Sequence, residues 1–283
     1  MNVERRHVGN TEIIAILDAD FPDASMGDSF PGVTDLELAS AATRYPGLTT
    51  AEGNWQLHVR AWLVRHRDGD VLLDTGIGGK SSPTQAWAPE TGALRSTLEE
   101  LGVASADIGT VVISHVHDDH IGGLVAEDGG PLCPNARYVV QRADVEWLQR
   151  EAQADEELAP VWALFGPLHA SDLVDAIEGD HRLHDGLLLR HAPGHTPGHQ
   201  VMLVEEGADR MILSADTWNH PLQLTNPDRP SGPDDDHEGA AATRRALRDD
   251  VLAHPGTIVA PSHFAKAFGE LTASVGDVVW VAV

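Results

Sequence analysis

Ser114-His115-Val116-His117-Asp118-Asp119-His120-Ile121-Gly122-Gly123 packs three histidines and two aspartates into six consecutive positions. The apolar run Val111-Val112-Ile113 stands just ahead of it. A run that short, ahead of Ser and Gly, reads as a buried strand that ends in a turn. Loops at strand ends are where α/β folds put their chemistry. Imidazole nitrogens and carboxylate oxygens at this density make poor core. They suit a borderline-soft divalent cation, zinc above all. The bland alternative is a histidine-rich solvated loop, and the ligand-type residues at later turns argue against it.

Length and composition narrow the possibilities. A chain of 283 residues can bury a sizeable core without disulfide staples. Cys133 is the only cysteine, which excludes an intramolecular disulfide and a thiolate-rich metal site. That is compatible with a cytoplasmic setting. The stretch Met1-Asn2-Val3-Glu4-Arg5-Arg6-His7 has basic residues with no apolar segment behind them, so neither a signal peptide nor a membrane span is expected. A formal charge of −25 argues against nucleic-acid and anionic-membrane partners and for a soluble, self-repelling surface. Cys133 has no evident catalytic partner and is expected to be structural.

Along the chain, residues 12–17 read as a first strand. Residues 18–53 are rich in Asp, Pro, Gly, Ser and Ala, with only 36–42 able to form a helix turn or two; a lid or a dimer-contact arm is expected. Residues 55–64 and 71–73 predict a hairpin across the turn at Asp68-Gly69-Asp70. A helix is expected over 89–101, with Leu94, Leu98 and Leu101 on one face and Gly102 after its end. Strands follow at 111–113 and 137–140, then two inserted helices at 143–154 and 156–165 within 141–178. Trp147, Leu148, Trp162, Leu164 and Phe165 are expected to pack these helices onto the body, some lining a pocket. Strands at 187–189, 201–204 and 211–213, a helix at 237–252, and strands at 257–260 and 277–283 complete the chain. No linker or short-period repeat marks a boundary, so one domain over 1–283 is expected.

The metal-type stretch resembles the H-x-H-x-D-H motif of the metallo-β-lactamase superfamily, with His115, His117, Asp119 and His120 in the motif positions. The family's remaining ligands have counterparts in order: Gly194-His195-Thr196-Pro197-Gly198-His199, Ser214-Ala215-Asp216, and Pro261-Ser262-His263. The resemblance runs from about Trp55 to His263. It implies an α/β fold, a four-layer αββα sandwich of two mixed β-sheets flanked by helices. It puts His115, His117 and His195 on one metal, and Asp119, His120 and His263 on a second. Asp216 bridges the two, and Asp74, in Asp74-Thr75-Gly76, orients a ligand through its far ring nitrogen. Two divalent ions, best matched by zinc with iron, manganese or cobalt as alternatives, would hold a bridging hydroxide for hydrolysis.

Among the family's branches, the arm, the inserted helices and His220-Pro221-Leu222-Gln223 resemble the lactonase and parathion-hydrolase side. The implied function is cleavage of a lactone, ester or related bond in a small molecule, with Asp119 and Asp216 as catalytic carboxylates. A thioesterase or cyclase on an acyl-thioester, or an organophosphate hydrolase, is the alternative enzyme reading. A degenerate ligand-binding member is the non-enzyme one, and no ligand position is empty. Quorum-quenching lactonases usually carry a Tyr three residues past the bridging Asp. This chain has Asn219 there, whose amide can also donate a hydrogen bond. Trp218, Asn219 and His220 are therefore candidate substrate contacts, and a homodimer is a candidate assembly.

Overall fold

The computed structural model describes residues 3–274 and 277–283; Met1 and Asn2 of the basic N-terminal stretch lie outside the described residues. The chain runs β1 (Val3–Val8), β2 (Thr11–Ser25), α1 (Met26–Ser29), α2 (Asp35–Arg44), β3 (Asn54–His66), β4 (Gly69–Leu73), α3 (Leu94–Glu100) and β5 (Thr110–Val112). It continues through α4 (Asp118–Ile121), β6 (Arg137–Gln141), α5 (Arg142–Glu151), α6 (Leu158–His169), β7 (Val174–Ile177), β8 (His181–His184) and β9 (Leu187–His191). It closes with β10 (Gln200–Glu206), β11 (Asp209–Ala215), α7 (Leu222–Thr225), α8 (His237–Ala253), β12 (Ile258–Pro261), β13 (Gly269–Ser274) and β14 (Asp277–Ala282).

These strands form two seven-stranded sheets, β1-β2-β3-β4-β5-β6-β7 and β14-β13-β12-β11-β10-β9-β8. Both are mixed. In the first, β4-β5-β6-β7 pair in parallel, and in the second β11-β12 do. The apolar runs that lack polar alternation are explained by burial on both faces. Val111 and Leu72 point to the α3/α5/α6 layer, whereas Val112, Val71 and Leu73 point between the sheets. There they meet Leu189, Met202, Met211 and Leu213 of the second sheet. On its outer face Val201, Leu203 and Ile212 pack under Leu247 and Val251 of α8. Each such fully buried aliphatic side chain contributes about 1.5–3 kcal/mol of burial free energy. The layers are α, β, β, α, as the resemblance implies.

Several boundaries differ from expectation. The first strand extends from 12–17 to Thr11–Ser25, so the 18–53 arm begins as sheet, and α2 is longer than the expected turn or two. Thr34 and Glu37 close a reciprocal capping box that starts α2. The helix expected over 89–101 starts only at Leu94. Its first N–H is capped from another element, by the Asp18 carboxylate at 2.6 Å. The 141–178 insert ends in a strand, β7, rather than being helical throughout. Strands β1, β7, β8 and β13 were not expected; the first three are sheet edges, and β13 lies between β12 and β14 but carries Glu270 and Thr272 in place of a hydrophobic run. Edge strands are short, polar and half-exposed to blunt further pairing, so they lack the hydrophobic run that marks a central strand. Among the described residues no helix is long and apolar enough to cross a membrane.

Candidate metal centre

The site forms where the carboxyl ends of the parallel strands of both sheets meet. β4 delivers Asp74, β5 the 114–120 loop, β11 Asp216 and β12 His263, while the β9–β10 turn supplies His195. Gln200 staples the two sheets here: its N–H donates to Ser114 O at 2.9 Å and its side-chain amide to Ile113 O at 2.8 Å. The glycines after His120 are dictated by close approach. A Cβ on Gly122 would run into Ile77 O, and one on Gly123 into Thr75 O.

The seven ligand-type side chains come together in three overlapping groups able to hold a metal ion: His115–His117–His195, His115–His120–Asp216, and Asp119–His120–His263. His117 Nδ1 lies 3.0 Å from both His115 Nε2 and His195 Nε2. Asp216 stands between the groups. Its Oδ2 is 3.4 Å from His195 Nε2 and 2.9 Å from His263 Nε2, and its Oδ1 is 3.2 Å from His120 Nε2. Asp119 Oδ2 is 3.4 Å from His120 Nε2 and 3.6 Å from His263 Nε2.

Two buried atoms of this cluster, His120 Nε2 and Asp216 Oδ1, have no hydrogen-bond partner among the described residues. Orphaned buried polar atoms are costly unless something else satisfies them. An all-nitrogen-and-oxygen donor set converging on them fits divalent cations.

Electrostatics agree with that chemistry. Burial, together with the neighbouring His120 and His117, holds His115 far below its ordinary value. Burial, with His195 close by, takes His117 down to about 3. Both imidazoles are therefore neutral, the form that ligates. Burial opposes charge on His120, but the carboxylates of Asp119, Asp216 and Asp74 outweigh it and raise it well above its ordinary value, the same negative field that would favour a bound cation. Burial also opposes ionisation of Asp119, and the charge of His120 overrides it, bringing the carboxyl down to about 2.

The outward ring nitrogens are anchored. Asp74 Oδ2 accepts from His120 Nδ1 at 2.9 Å and from the Ser114 hydroxyl at 2.7 Å, while its Oδ1 accepts the Ser114 N–H at 2.7 Å. His263 Nδ1 donates to His58 O at 2.7 Å, and His195 Nδ1 to Asp234 Oδ1 at 3.0 Å. Asp74 and Ala215 hold left-handed backbone, φ 62° and 42°, beside the cluster. Such strain persists only where the surroundings over-determine it.

Four contributors were not read from the sequence. Asp236 is the N-terminal cap of α8, and Asp234 turns inward to His195 and Arg244. Asp144 accepts from Thr196 Oγ1 at 2.9 Å and Gly198 N at 2.5 Å, fixing the His195 turn, and burial raises it to about 7. Buried Arg60 donates to the carbonyls of Ser262, Phe264 and Ala265, clamping the loop that carries His263. His199 accepts the Asp216 N–H at 3.1 Å. No local pattern announces any of these contacts.

The three expected substrate contacts are all buried. Trp218 is fully buried in the outer core with Leu224, Leu247 and Phe264, because its turn tucks under α8. Asn219 bonds Asp216. His220 is buried against Phe30, their ring centroids 5.4 Å apart. Of the inserted-helix aromatics, Trp147 reaches the site, its ring edge-on to His117 at 6.3 Å, while Trp162 and Phe165 pack together in the helical layer. Cys133 is core, its thiol pushed up to about 12 by burial.

A family model described as the metallo-beta-lactamase superfamily matches residues 55–263. The chain belongs to the metallo-beta-lactamase superfamily. Within this superfamily it is 29% identical over 177 residues to an N-acyl homoserine lactonase of a Bacillus species, a match covering 56% of this chain and 64% of that one. It is 30% identical over 165 residues to an acyl-coenzyme A thioesterase of Bos taurus, covering 54% of this chain and 55% of the other. The chain thus spans less than two thirds of the length of these curated relatives. Two solved structures share the fold over the whole chain. One is a hydrolase called AbOPH (TM-score 0.85, 20% identity, 97% of that chain). The other is AidC, described as a dizinc quorum-quenching lactonase (TM-score 0.84, 21% identity, 97% of that chain).

Proposed function

We propose that this superfamily member is a metal-dependent hydrolase that holds two divalent cations and cleaves a lactone, ester or related acyl bond of a small molecule. The observation that carries the reading is Asp216, whose Oδ2 faces both His195 and His263, one from each group of ligands, while its Oδ1 faces His120. His115, His117 and His195 would hold one cation, Asp119, His120 and His263 the other, with Asp216 shared; zinc best matches the donor set. When bound, such a pair supplies Lewis acidity at the attacked carbonyl and a nucleophile at neutral pH. Asp119 has the most open side chain of the cluster's acids, 14% exposed against 4% for Asp216. It is the cluster carboxylate that an incoming substrate can reach, held ionised and so suited to accept a hydrogen bond from the nucleophile and steer it. Trp147 beside His117, and Trp55 5.6 Å from His263, supply apolar walls beside the cluster. The reading treats residues 1–283 as one hydrolase unit.

The lactone or ester reading is supported by the lactonase relatives. An acyl-thioesterase reading is supported by the likeness to the Bos taurus enzyme. The acids beside the cluster, Asp118 held by Trp87 and Asp235 held by Trp147, disfavour an anionic coenzyme A arm.

The test is metal content per chain by elemental analysis, paired with turnover of a lactone, ester, thioester and phosphotriester panel. Two ions per chain with selective lactone or ester cleavage are expected. Fewer than one ion per chain after supplementation overturns the reading.

A further inference from the structure

We propose that Asn219 and Gln223 are positioning residues that set the carboxylate of Asp216, and that Arg229 ties this pair to the segment carrying α1 and α2. The proposal rests on the reading of Asp216 as the carboxylate shared by two cations.

Asn219 Nδ2 donates to Asp216 Oδ2 at 2.7 Å. An ionised carboxylate only accepts, so the amide must present its nitrogen here. Its carbonyl end has no partner among the described residues, so nothing favours the flipped orientation. The bond occupies one lone pair of Oδ2. It leaves Oδ1, itself without a hydrogen-bond partner among the described residues, facing His120. Asp216 follows Ala215, whose φ of 42° is a conformation that alanine adopts only when its surroundings impose it. Those surroundings are His199, which accepts the Asp216 N–H, and Asn219, which fixes the side chain.

Gln223 holds Asn219 in turn. Its Oε1 accepts the backbone N–H groups of Asn219 at 2.8 Å and His220 at 3.3 Å, and its Nε2 donates to Arg229 O at 3.3 Å. The Arg229 guanidinium reaches Glu37 Oε1 at 2.5 Å and Pro31 O at 3.3 Å. Asp216, Asn219 and Gln223 are buried, and Arg229 nearly so at 8% exposure. A buried polar network this connected specifies one arrangement. It runs from α2 through Arg229, Gln223 and Asn219 to Asp216 Oδ2, and so sets the direction in which Oδ1 faces His120.

The experiment measures zinc affinity of the full chain by competition with a chromogenic chelator, with circular dichroism of the metal-free protein alongside. Asn219→Leu keeps the branching of the side chain, adds some volume and removes the donor. It is expected to weaken zinc binding about 10–100-fold, the usual effect of losing a partner that orients a ligand. The metal-free fold should be retained. Gln223→Leu should act in the same direction and less strongly, and it carries the test if Asn219→Leu does not fold. Unaltered affinity in both variants overturns this proposal alone. An unaltered chain that binds less than one zinc ion overturns it together with the dinuclear reading.

Discussion

Asp234 Oδ1 lies 3.0 Å from Nδ1 of His195, one of the nitrogen-rich cluster's imidazoles. Its other oxygen takes Nη1 of Arg244 at 3.0 Å and the Ser231 N–H at 2.9 Å. Burial opposes ionisation of Asp234, but the hydrogen bond and charge of His195, with Arg244, hold the carboxyl below its ordinary value. One carboxylate thus orients a candidate ligand and neutralises a guanidinium that is 1% exposed.

Asp234→Ala is expected to destabilise the chain by about 3–5 kcal/mol, because a buried charge is left without its partner. Asp234→Asn keeps an acceptor for His195 and should cost less, while lowering zinc affinity about 10-fold or more. Urea unfolding separates the stability effect and chelator competition the affinity effect. Equal unfolding midpoints for Asp234→Ala and the unaltered chain would count against the buried pair.

Asp74→Asn should leave the backbone unchanged, since Asn tolerates the left-handed φ of 62°. An amide nitrogen donates and does not accept, so the Ser114 hydroxyl and His120 Nδ1 both lose their shared acceptor and the His120 ring loses its orientation. Zinc affinity is expected to fall about 10–100-fold with little change in far-ultraviolet circular dichroism. Asp74→Ala should add about 1–2 kcal/mol of backbone strain, visible as a lower melting temperature.

Asp18 predicts a pH dependence of stability away from the metal cluster. Its carboxylate accepts from Ile77 N at 2.8 Å and Leu94 N at 2.6 Å, yet burial outweighs these bonds and raises it from 3.8 to about 6. Across that window the folded chain holds more protons than the unfolded one, so this group's contribution falls as pH rises. The loss across the window is about 3 kcal/mol, because a proton held by one state alone is worth about 1.4 kcal/mol for each pH unit. Asp18→Asn should flatten that part of the profile. Denaturant midpoints followed from about pH 4 to pH 7 check it, and parallel profiles for the two proteins would refute the assignment.

Asp216→Ala is expected to lose metal and turnover together, because the removed carboxylate faces both groups of histidines. Elemental analysis and the substrate panel on the same preparation decide it. A variant that keeps two ions and full turnover rules out the shared-carboxylate role.

Much of the candidate site was legible because ligand chemistry is written locally. The spacing in 115–120, the Gly194–His199 turn, Asp216 and His263 each sit at a strand end that hydrophobic runs make visible. The same runs marked most central strands, which are apolar on both faces; β13, between β12 and β14, has no such run and was missed. Edge strands such as β1 and β8 were not legible, since a short polar sequence in a sheet looks like a loop until its partner is known. Residues 18–25 were misread for a related reason: β2 holds Pro22 and register shifts that no periodicity reports.

By itself, then, the sequence determined which side chains are able to hold a metal ion, the order in which they arrive and the layered class that buries the strands between them. Only the tertiary structure decided what satisfies the far side of each ligand: Asp234 behind His195, Arg60 behind the His263 loop, Asn219 on Asp216 rather than facing outward. Most of those partners lie tens of residues away or on the other sheet. A hydrogen bond between them depends on distance and direction within a few tenths of an ångström. That is fixed only when the two sheets close on their shared core, and residue type and spacing along the chain do not encode it.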